Sequence, residues 1–108
     1  MRERDIENYV CKYASSKEML VMKFTSPGTT AVCDRIFIDS GNVFFIEFKA
    51  PGKKPTVAQN NHHKKLASKN VAVYVIDDKS TGKEVIDYEY ENKGAKHHWR
   101  AIRVTDCS

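Results

Sequence analysis

The chain has 108 residues, with 18 Lys plus Arg against 14 Asp plus Glu and a net charge of +4; that length suits one domain with a single core, so residues 1–108 read as one globular unit. The basic excess is modest, but it favours an anionic partner over a cationic one. No run approaches the roughly 18 apolar residues of a membrane span, and the charged opening MRERDIENYV lacks a signal peptide's apolar stretch, so we expect a cytoplasmic protein with no membrane contact. Cys11, Cys33 and Cys107 make an odd set with no C-x-x-C pair. This excludes a disulfide framework and a zinc ribbon and leaves free thiols.

Ile6, Val10 and Tyr13 recur at helical spacing and predict an amphipathic helix from about residue 3 to 15. Met19 to Phe24 is a short apolar run closed by Ser26-Pro27-Gly28, the pattern of a strand and turn. Asp34 to Asp39 and Val43 to Lys49 read as two stronger strands around Ser40-Gly41, where Gly supplies the positive φ that tight hairpins need. After the break Ala50 to Pro55, Thr56 with Gln59 three residues later forms a capping box for a helix to about Lys69, stopped at Asn70. Val71 to Ile76 is almost wholly apolar, as expected of a strand covered on both faces, and is placed in mid-sheet. Residues 79–90 suggest one short helix, and His98 to Val104 a final edge strand. The order α-β-β-β-α-β gives an α/β fold, a mixed sheet flanked by helices.

Alternation along the second hairpin strand puts Glu47 and Lys49 on one face and Phe44, Ile46 and Phe48 on the other. Counting outward from a two-residue loop at Ser40-Gly41 brings Asp34 directly opposite Glu47. Two facing carboxylates repel unless a cation lies between them. Hard oxygen donors, with no thiolate or His pair, suit Mg²⁺ or Mn²⁺ rather than zinc. A cation there would polarise a phosphate oxygen, and the Lys49 ammonium would orient water or balance transition-state charge. That is chemistry for phosphodiester hydrolysis.

The ordered set Glu3-Arg4-Asp5-Ile6-Glu7, Lys23 to Gly28, Asp34-Arg35-Ile36, Phe45 to Gly52, Gln59 and Val73 to Asp77 resembles the virus-type replication-repair nuclease (VRR-NUC) domain of the PD-(D/E)XK superfamily. The resemblance implies a restriction-endonuclease-like core. It also implies Asp34 and Glu47 as metal ligands, Lys49 as the catalytic lysine, and a helix-one acid, Glu3 in preference to Glu7, as a further ligand. Gln59 corresponds to a family Gln approaching the site, although the capping box accounts for it without function. Where the family has Gly-x-Pro-Asp, this chain has Ala31-Val32-Cys33-Asp34. Losing that Pro relaxes the backbone restriction on Val32 and leaves the acids in place.

Lys53 and Lys54 follow the site, and His62, His63, Lys64 and Lys65 lie on the next helix, placed to grip DNA phosphates with a steep salt dependence. For so short a chain the resemblance implies a stand-alone phage or bacterial form, similar to homodimeric Holliday-junction resolvases. The expected activity is thus Mg²⁺-dependent DNA endonuclease action on four-way junctions, with Mn²⁺ able to substitute. Flap, fork or nicking activity, and a non-catalytic binding module of the same fold, are the alternatives.

Overall fold

The computed structural model describes residues 1–25 and 34–92. Ser26-Pro27-Gly28, Cys33, Cys107 and the expected strand at His98 to Val104 lie outside them. Seven elements follow in order: α1 (Glu3–Ser16), β1 (Leu20–Lys23), β2 (Arg35–Asp39), β3 (Asn42–Phe48), α2 (Val57–Ser68), β4 (Ala72–Ile76) and α3 (Lys79–Glu91). The fold is α/β, a mixed four-stranded sheet in the order β1-β2-β3-β4. β1 pairs antiparallel with β2, and β2 with β3, whereas β4 runs parallel to β3. The parallel step requires a crossover, which α2 supplies.

Local chemistry accounts for the joints. Ser40 and Gly41 both have positive φ, 53° and 81°, the type I′ pattern whose twist matches the flanking strands. The turn sets Asp39 against Asn42 and Arg35 against Ile46, so the expected register holds. At the start of α2 the Thr56 hydroxyl accepts from the Gln59 N–H at 3.1 Å, while the Gln59 side chain accepts from the Thr56 N–H at 3.0 Å. The helix ends in a Schellman motif. Asn70 is left-handed at φ 68°, the Val71 N–H donates to the Leu66 carbonyl, and those two side chains meet in one cluster.

Alternate strand residues feed two cores. Phe37, Phe44, Ile46, Phe48, Tyr74 and Ile76 pack with Ile6, Val10 and Ala14 of α1 and Val85 and Ile86 of α3. Phe45 and Val73 point the other way and are covered by Leu66 of α2. The sheet therefore has two helices on one face and one on the other.

One expectation is corrected. β4 is an outer strand of the described sheet, not a central one. It reads as continuously apolar because helices bury both its faces, and face burial says nothing about neighbouring strands. The helix expected at residues 79–90 is present as α3, and its inward positions are Gly82, Val85, Ile86 and Glu89. Two of these four are not apolar, which hides the helical period.

The Gly is required by packing: a Cβ at position 82 would lie 2.4 Å from Val10 Cγ2. Val10 is β-branched and stiff within α1, so it cannot swing aside cheaply. We expect Gly82→Ala to lose about 1–2 kcal/mol in urea denaturation despite alanine's better helix propensity. Combined with Val10→Ala, the loss should be smaller than the sum of the two single changes. Simple additivity would show that the helices do not meet here.

Candidate active site

The hairpin delivers the acids. Phe24, at the end of β1, donates its N–H to the Asp34 carbonyl at 3.0 Å, which extends the sheet by one row beyond β2. In that row Phe24 and Glu47 point to the face that α2 covers. Asp34 reaches across the strands, and its Oδ2 accepts from the Phe48 N–H at 2.8 Å. Glu47 is 2% exposed, inside β3. Lys49 follows that strand, its N–H held by the Ile76 carbonyl, and its Nζ stands 3.6 Å from Glu47 Oε2. Beyond it the chain turns at Pro51-Gly52, where Gly52 has φ 81° and donates its N–H to Asp77 at 3.0 Å. This delivers Lys53 and Lys54 to the surface.

α2 supplies the lid. Gln59 caps the helix with its amide oxygen and donates its amide nitrogen to Glu47 Oε2 at 3.0 Å. Gln59 therefore caps α2 with one end of its amide and reaches Glu47 with the other. Lys64 and Lys65 lie exposed on the outer side of α2.

Electrostatically, the site is strained toward negative charge. Burial first, and then the charge of Glu47, push the Asp34 carboxyl up from its ordinary 3.8 to about 6; the Phe48 N–H opposes them, and the charges of Glu7 and Glu3 add to the rise. Glu7 is tied to Arg35 by a 2.6 Å contact. Glu3 sits exposed in the first turn of α1. Among the described residues no three His, Cys, Asp or Glu side chains converge on one point. The structure thus gathers Asp34, Glu47, Lys49 and Gln59 and leaves Glu3 apart from them.

No family model matches the chain. It is 36% identical over 78 residues to "Putative nuclease p44" of Acyrthosiphon pisum secondary endosymbiont phage 1, a match covering 71% of this chain and 84% of that protein. A solved VRR-NUC domain has the same fold, with a TM-score of 0.74 at 20% identity over 80% of this chain and 95% of that one. The chain belongs to the family of that phage nuclease and has the VRR-NUC fold that the sequence resemblance implied. Its restriction-endonuclease-like α/β core is the one expected from the sequence.

One residue of this nuclease escaped the sequence reading. His63, expected on the basic surface, is fully buried with Nε2 3.6 Å from Glu47 Oε1. Its spacing from Gln59 was the available signal, because residues four apart share a helix face. His62 is half-buried, stacked on Phe24, and burial and then His63 lower its pKa, so it is a poor phosphate grip at neutral pH. Cys11 is also half-buried, and burial pushes its thiol up to about 11, which makes it unreactive.

The Asp34 shift fixes a pH dependence. The folded carboxyl holds its proton up to about pH 6 and the unfolded one only to about 3.8. Folding stability therefore falls as pH rises between those values, and the penalty is complete above them. Asp34→Asn keeps an acceptor for the Phe48 N–H and removes the charge. In EDTA it should melt a few degrees above the wild type at pH 8, and the gap should close by pH 4. A gap independent of pH in calorimetric scans would contradict this.

Proposed function

We propose that this nuclease is a Mg²⁺-dependent DNA endonuclease that hydrolyses phosphodiester bonds at Asp34, Glu47 and Lys49. The observation that carries the reading is a pair of facing, largely buried carboxylates, one with its carboxyl raised to about 6, beside a lysine. Burying two acids together without a counter-charge destabilises a fold, and such pairs occur where a cation or shared proton is used. The donors are hard oxygens, and Glu47 Oε1 is buried without a hydrogen-bond partner among the described residues. This set fits Mg²⁺, with Mn²⁺ able to substitute.

When bound, a divalent cation supplies Lewis acidity to a phosphate oxygen and to water. Asp34 and Glu47 would hold it, and Glu3, exposed on α1 and apart from them, would act only through its charge on Asp34. Gln59 keeps Glu47 in place. The Lys49 ammonium, 3.6 Å from Glu47 Oε2, stands where it would orient the attacking water and balance charge on the pentacovalent phosphorus. Water oxygen bonds to phosphorus as the phosphorus–leaving-oxygen bond breaks, leaving a phosphomonoester and a hydroxyl. Lys53, Lys54, Lys64 and Lys65 would contact flanking phosphates without reading bases.

The substrate we favour is a four-way junction cut by a homodimer, since two-fold symmetry would set paired sites on opposed strands. Cleavage of labelled four-way junction, flap, duplex and single-stranded DNA with Mg²⁺, Mn²⁺ or EDTA tests this. Symmetric cuts confined to the junction are expected, with Lys49→Ala slower by roughly 10²–10³-fold and Glu47→Ala inactive. Cuts spread over flaps or plain duplex would remove the junction assignment. Failure on every substrate would leave a binding module in place of an enzyme. Replacing Lys53 and Lys54 with Ala should weaken binding to all DNAs alike and reduce the log–log salt slope by about 2 in fluorescence titrations; an unchanged slope would clear these lysines of phosphate contact.

A further inference from the structure

α2 carries a buried imidazole that the hydrolytic residues leave without a role. His63 is 0% exposed, and among the described residues neither of its ring nitrogens has a hydrogen-bond partner. Buried imidazoles ordinarily donate or accept at one nitrogen at least. An aliphatic side chain would fill such a position without leaving polar atoms unpaired, as Leu66 does on the same side of the helix. The polar group facing the ring is Glu47: Nε2 lies 3.6 Å from Oε1, which is itself buried and unpartnered. The two orphaned atoms stand about half an ångström outside ordinary hydrogen-bonding distance. The other oxygen, Oε2, is held by the Gln59 amide at 3.0 Å and approached by Lys49.

We propose that His63 is a positioning residue for hydrolysis, donating from Nε2 to Glu47 Oε1 so that α2 fixes the Glu47 carboxylate through both oxygens. The proposal rests on the reading of Glu47 as a metal-holding acid. Gln59 alone fixes one oxygen and leaves the carboxylate plane free to rotate about that contact. A second donor on the other oxygen removes this freedom. Because Gln59 and His63 are four residues apart, one rigid helix face presents both donors, and the Thr56 cap holds the first of them in place. Outer partners of this kind set the orientation of ligating carboxylates and govern metal affinity without touching metal or substrate themselves.

The test compares wild type, His63→Leu and His63→Gln in the intact chain. Mg²⁺ and Mn²⁺ affinity is measured by calorimetry, and kcat and KM by junction cleavage. His63→Leu should weaken metal affinity roughly 10-fold or more while KM for DNA stays constant, and His63→Gln, which restores a donor, should recover most of that loss. A merely structural histidine would lower the melting temperature and leave metal affinity unmoved.

Nitrogen-15 spectra of the wild-type imidazole serve as a second measurement that needs no substitution. The proton should sit on Nε2, and that resonance should shift in Glu47→Gln. An unprotonated Nε2, or wild-type metal affinity in a folded His63→Leu, overturns the proposal and leaves the nuclease reading intact. A wild type that binds metal and cuts nothing defeats the nuclease reading, while the affinities and spectra still decide the role of His63.

Discussion

The rest of the structure depends on the mutual repulsion of Asp34 and Glu47. Two acids largely withdrawn from water raise each other's energy, and burial and the Glu47 charge drive the Asp34 carboxyl to about 6. The fold must overcome this to exist. It does so with the two cores on either face of the sheet, and it places three polar contacts around the pair: the Phe48 N–H on Asp34, and Gln59 and Lys49 on Glu47. Stability is surrendered locally to keep the two acids together.

Rigidity comes from the opposite face. α1 and α3 approach so closely at Gly82 that no Cβ fits against Val10. Asn42, at the tip of the hairpin, and Tyr74, on β4, both donate to the buried carboxylate of Glu89. These contacts tie the hairpin to the parallel strand. They hold the rows of the sheet in step, including the row that carries the acids.

Much of this was legible before any coordinates. The hairpin register needed only the Ser40-Gly41 turn and strict alternation, and the same counting gave the face shared by Glu47 and Lys49. Thr56 and Gln59 announced the start of α2. The failures share a physical cause, since composition reports burial poorly when polar residues are inside. Glu89 and Gly82 on the inner face of α3 blur the period of a helix that was nevertheless expected, whereas His63 in a run of cations looked like surface. The position of β4 was misread because an apolar strand registers the helices on its faces and not the strands at its sides.

The two loops flanking β3 differ in what they permit. The turn at Ser40-Gly41 is both spacer and ruler: one inserted residue would rotate Glu47 onto the face of Phe44 and Phe48 and take the acid pair apart. The stretch from Gly52 to Pro55 begins after Lys49 is already anchored to β4, and Gly52, Lys53 and Lys54 in it are exposed. Length and charge can change there without disturbing the acids. The chain between β3 and α2 can therefore vary without moving the acids, while an insertion at Ser40-Gly41 keeps the pair only if another turn restores the register.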